Sequence, residues 1–141
     1  MKTRFTPLVK IKKNSLDKCE RDFSRANRDK QNAQSALDDA YLQLKETSSL
    51  SQGNMSDMLQ ERTILDIQRN VIEQKRSWLN FASQQVTQLK KLLQEATIEY
   101  EKYKYLETKE IEMILKKRAQ VEMKQLDESA LHSFMYRQDQ Q

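Results

Sequence analysis

Apolar positions recur along the first third of the chain at alternating spacings of three and four. Leu16, Cys19, Phe23, Ala26, Lys30, Ala33, Leu37, Ala40 and Leu44 hold that rhythm without a slip, and Lys30 is the one polar member. The rhythm returns after residue 60 with Leu65 and Ile72, then runs through Leu79, Ala82, Val86, Leu89, Leu93, Ala96, Tyr100 and Tyr103. Such a repeat keeps one apolar seam on a helix and turns it toward a partner helix. Between the two runs, "TSSLSQGNMS" (47–56) holds the only Gly and a cluster of Ser and Asn, the one credible turn. Thr6-Pro7 reads as a helix start, with Thr as N-cap and Pro at the first helical position. Ser56 with Asp57 behind it opens the second helix.

The pattern therefore predicts an all-α chain: a two-helix antiparallel coiled-coil hairpin with a long overhanging C-terminal helix. As a single domain over 1–141 it has helix 1 at about 7–46, a turn at about 47–55, helix 2 at about 56–135 and a disordered tail at 136–141. At about 1.5 Å per residue the second helix is roughly 120 Å long and needs lateral packing to persist.

Folding about the turn, so that paired numbers total about 105, sets small residues against large ones. Ala40 then meets Leu65, Ala33 meets Ile72, and Ala26 meets Leu79. Phe23 meets Ala82, Leu16 meets Leu89, Val9 meets Ala96, and Phe5 meets Tyr100. The weak layer sets Lys30 opposite Lys75, near Gln68. On this register helix 1 is used up near residue 5, and everything from about 104 projects beyond it. The stretch "KEIEMILKKRAQVEMKQLDESAL" (109–131) keeps apolar residues there: Ile111, Ile114, Leu115, Val121, Leu126 and Leu131. An unpaired amphipathic helix frays in water unless a partner covers it.

A second apolar edge runs along helix 2. Ile64, Ile67, Val71, Trp78 and Phe81 recur at helical spacing, with Gln74 in the gap. They lie about 110° round the helix from the seam, where a two-stranded coiled coil does not reach. Tyr41 faces Ile64 under the same pairing rule. The plain reading of this edge is a broad seam, a homodimer contact or accidental surface hydrophobics; the sharper one is a docking strip with aromatic anchors.

Composition narrows the class. One Gly and one Pro in 141 residues, with 33% charged and 37% hydrophobic, fit long helices and no thick core. The net charge of +4 is local: residues 1–30 carry ten Lys/Arg against four Asp/Glu. Nucleic acid is not the expected partner. Asp17, Glu20 and Asp22 interrupt the basic run of Lys10, Lys12, Lys13 and Arg21, and no base-reading module is present. Cys19 is alone, which fits a reducing, cytoplasmic compartment. No apolar run suits a bilayer, so direct membrane insertion is not expected, and the start carries no secretory h-region. One His and one Cys compose no metal site, a single Gly makes no phosphate loop, and the carboxylates line no pocket. No catalytic residue, metal or cofactor is expected, and the chain reads as a non-enzyme.

The chain as a whole resembles the FliJ family, coiled-coil components of the bacterial flagellar type III export apparatus. The resemblance rests on the basic start "MKTRFTPLVKIKKNSLDKCE", the single hairpin, the overlong second helix, and the ending "YEKYKYLETKE…EMKQLDESAL". Glu122, Lys124, Leu126, Asp127, Glu128 and Ala130 are similar to the family's E-x-K-x-L-D-E-x-A ending. The related injectisome stalk proteins are the nearest alternative, and a homodimeric coiled-coil spacer is another. The resemblance implies a stalk-like adaptor that binds the export ATPase, the cytoplasmic domain of the export gate, and export chaperones. It implies a cytoplasmic place, peripheral at the inner-membrane export apparatus. It also assigns the gate contact by position to Tyr41, Ile64, Val71 and Lys75, and Ile67 and Trp78 join them from the same edge. The projecting helix, with Ile111, Ile114, Leu115, Val121 and Leu126, is then the part that enters the ATPase ring.

Overall fold

A computed structural model describes residues 1–49 and 55–139. Two helices account for almost all of them: α1, Thr6–Ser49, and α2, Met55–Asp139. The described residues include no strand. The turn expected at 47–55 lies largely at 50–54, outside the described residues. α2 does not stop at 135. It runs to Asp139, so residues 136–139 are helical rather than a disordered tail. Arg137 in its last turn complements the negative end of the helix dipole.

The start of α1 is capped one residue earlier than Thr6. The first helical bond runs from the Val9 N–H to the Phe5 carbonyl at 2.8 Å. The Thr3 hydroxyl accepts the Phe5 N–H at 3.1 Å, and the Thr6 hydroxyl accepts the Thr3 N–H at 2.9 Å. Two threonines thus satisfy amides on both sides of the cap, and Pro7 falls among the positions whose amides need no helical partner.

The helices pair antiparallel. Contacts divide the chain into two units, Met1–Asn14 with Ile98 onward, and Ser15–Thr97. Within the second, Thr47 meets Gln68 and Tyr41 meets Arg76. Within the first, Lys12 reaches Glu99 and Arg4 reaches Glu110. The seam residues are the buried ones: Leu16, Ala26, Ala33, Leu37 and Ala40 in α1, and Ile72 and Ala82 in α2. Ala33 is completely covered (0% exposed), which only a small residue at a close helix crossing allows. Lys30 keeps the spacing but is exposed, because its long stem carries the ammonium out to water.

The register differs from the expected one. Thr47 with Gln68 and Lys12 with Tyr103 each total 115, not 105. Ile72 packs with Leu37 and Ala40, flanked by Leu44 and Leu79, rather than facing Ala33. Leu89 lines the same groove as Asp22 and Ala26, rather than meeting Leu16. The shift shows at the start of α2. Met55, Met58 and Leu59 are 81%, 59% and 63% exposed, so its first turns lie outside the seam. The heptad fixes which residues face inward but permits sliding in half-heptad steps. The observed step separates Lys30 from Lys75. The Lys75 ammonium sits over the Trp78 ring at 5.4 Å. Gln68 takes a hydroxyl partner instead, donating from Nε2 to Thr47 Oγ1 at 2.9 Å, while its Oε1 is buried without a partner.

Candidate functional site

Two exposed apolar surfaces stand out, one in each unit. In the unit of residues 15–97 the edge of α2 is open to solvent. Ile64, Ile67 and Phe81 are 47%, 58% and 61% exposed, and Val71 and Trp78 are also exposed. Two turns further along, Trp78 and Phe81 meet Asp22, Arg25 and Asp29 of α1 across a groove of about 550 Å³. The α1 wall is a set of charged residues at helical spacing beside Ala26. Their spacing, 22, 25 and 29, was visible in the sequence, but only the correct register brings them to Trp78.

Tyr41 does not join this surface. Arg76 donates a hydrogen bond to its hydroxyl and stands near its ring, 6.0 Å from the centroid. At about 100° per residue, Arg76 and Trp78 point about 160° apart on α2. Tyr41 therefore lies on the opposite flank of the seam, and the expected contact with Ile64 is replaced by one with Arg76. Lys75 is half-buried between seam and edge, held over Trp78. The structure thus gathers Ile64, Ile67, Val71, Lys75 and Trp78 along one side of α2 and sets Tyr41 apart.

The second surface belongs to the unit of residues 1–14 and 98–139. The start of α1 holds the chain there by the buried Val9 and by a set of charged contacts. Lys12 pairs with Glu99 at 3.6 Å and lies over the Tyr103 ring at 5.4 Å. Lys13 lies over the Tyr100 ring at 5.3 Å, and Arg4 pairs with Glu110 at 3.7 Å. Half-burial of α2 continues through Ile111 to Ile114 and then ends; Leu115 and every described residue after it are exposed. The overhang therefore begins at 115, about ten residues later than the register centred on 105 placed it. Of the five residues expected on the projecting helix, Ile111 and Ile114 are partly covered, and Leu115, Val121 and Leu126 are open at 50%, 54% and 70%. Phe134, Met135 and Tyr136 extend the apolar surface beyond them.

Among the described residues no group of His, Cys, Asp and Glu is placed to hold a metal ion. His132 sits on the exposed face of the overhang, and Cys19 is a half-buried seam residue. No described helix is long and apolar enough to cross a membrane. What both surfaces offer is apolar area on a stiff helix, the arrangement by which helices bind other proteins.

No curated protein and no solved structure matches the chain. The model of the flagellar FliJ protein family matches residues 1–139, which takes in both helices and both exposed surfaces. A hairpin of long helices matched by that family over nearly its whole length belongs to the FliJ family, the non-enzymatic coiled-coil components of the flagellar type III export apparatus.

Proposed function

We propose that this chain is a stalk-like adaptor that joins the export ATPase to the cytoplasmic domain of the export gate and helps couple ATP hydrolysis to protein export. The observation that carries the reading is the bare end of α2. From Leu115 to Asp139 a helix of about 37 Å presents Val121, Leu126, Leu131 and Phe134 to solvent with no neighbouring helix. A ring that closes round this segment covers those side chains and supplies the lateral support a lone helix lacks. Leu115, Val121 and Leu126 make the contacts, and Ile111 and Ile114, half-covered beside the start of α1, lie at the ring's edge and contribute less. The edge formed by Ile64, Ile67, Val71, Lys75 and Trp78 takes the gate, with Trp78 as its anchor. Tyr41, on the other flank, contributes less. Export chaperones bind the same exposed surfaces, and the chain acts in the cytoplasm at the inner-membrane export apparatus.

Two double variants separate the contacts. Ile64→Asp with Val71→Asp leaves helicity intact, since both side chains already face water, and abolishes binding to the purified gate domain while sparing the ATPase. Val121→Asp with Leu126→Asp does the reverse and removes stimulation of ATP hydrolysis. If each pair weakens both interactions equally, or neither, the assignment of the two surfaces is wrong. Circular dichroism and affinity measured by calorimetry read out both arms.

A further inference from the structure

The overhang begins at a ring of positive charge. Lys116, Lys117 and Arg118 follow directly on Leu115, all three are exposed, and no acidic residue stands between Glu112 and Glu122. Glu112 is turned back to Lys109 at 3.5 Å. Some α2 cations pair with carboxylates one turn away, as in Lys104 with Glu107 and Arg69 with Asp66. Among the described residues none of the three collar cations has such a pair. The Arg4–Glu110 ion pair places the residues preceding α1 about two turns before the collar.

Geometry indicates what the collar fits. Consecutive helical residues point about 100° apart, so the three cations face three directions round the shaft. A flat surface, such as a bilayer, meets one or two of them and leaves the others in water. A partner that surrounds the helix meets all three. The collar also sits at a step in width. Beyond Leu115 the shaft is one helix, about 10–12 Å across. Before it, where α1 lies alongside, a second helix adds about 8–10 Å. A ring sized for the single helix stops at this shoulder, with its rim beside Lys116, Lys117 and Arg118.

We infer that Lys116, Lys117 and Arg118 form an electrostatic collar that receives an acidic rim at the mouth of the encircling ATPase ring and guides the shaft into it. The inference rests on the ring reading proposed above and adds the charge of the partner's mouth and the depth of insertion. Rim charges of this kind act mainly on the rate of encounter, raising it by about ten-fold or more at low salt, and are screened over roughly 8 Å at physiological ionic strength.

The test uses the full-length chain with Lys116→Gln, Lys117→Gln and Arg118→Gln together, beside wild type and beside Val121→Asp with Leu126→Asp. Association and dissociation with the purified export ATPase are followed by stopped flow at several salt concentrations, and phosphatidylglycerol vesicles form a second arm. The triple variant is expected to associate about ten-fold more slowly at low salt, to lose most of its salt dependence, and to dissociate at nearly the wild-type rate. Unchanged association with an unchanged salt slope overturns the collar. So does a selective loss of vesicle binding, which would make the cations a membrane contact. If wild type fails to bind the ATPase at all, the ring reading falls and the collar with it. If wild type binds and only the apolar variant fails, the ring reading stands and the collar falls.

Discussion

Ile72 is the one large side chain of α2 among the described residues that the seam buries, at 5% exposure. Its neighbours Leu37, Ala40, Leu44 and Leu79 come from both helices. Truncating it leaves a cavity that stiff helices do not refill, so Ile72→Ala should cost about 2–4 kcal/mol in urea unfolding. Ile67, five residues earlier and 58% exposed, tests the contrast: Ile67→Ala should change stability by less than about 0.5 kcal/mol. Equal losses would mean that the seam does not lie where burial puts it. Gln68 shows how a polar residue belongs in such a seam. One end of its amide is tied to Thr47 and the other is buried without a partner, an arrangement that costs stability and favours one register over its neighbours.

The helices themselves were legible in the sequence, because spacings of three and four over many turns leave little else for the chain to be. The inward-facing set was legible for the same reason: Leu16, Ala26, Ala33, Leu37, Ala40, Ile72 and Ala82 are all in the predicted seam and all buried. The register was not legible. A seam reads the same after half a heptad of sliding, and matching small residues to large ones did not choose between the steps. The observed register leaves the start of α2 exposed and takes Lys30 away from Lys75, and both are tertiary facts. The error moved the beginning of the overhang from about 104 to 115. Amide hydrogen exchange should follow the corrected boundary. Residues 98–110 should be protected beside the start of α1, and residues 115–139 should exchange at least ten-fold faster as a helix without a neighbour. Rising salt should erode part of the protection at 98–110, since ion pairs and cation–π contacts hold that segment together with the buried Val9. Uniform protection from 98 to 139 would show that something covers the end of α2.

In the whole chain, membership of the FliJ family gives the apparatus, and the division of labour proposed for the two exposed surfaces would operate within it. The edge at Ile64–Phe81 was visible from spacing alone, since apolar residues off the seam have no place in a two-stranded coil. Its α1 wall and the displacement of Tyr41 to the far flank depended on the register and were out of reach. The most direct measurement is site-specific photocrosslinking in the assembled export apparatus, with benzoylphenylalanine placed in turn at Leu126 and at Ile67. Leu126 is expected to capture the export ATPase and not the gate, and Ile67 the gate and not the ATPase. Capture of the ATPase from Ile67, or no capture of it from Leu126, would contradict the assignment of the bare end of α2 to the ring.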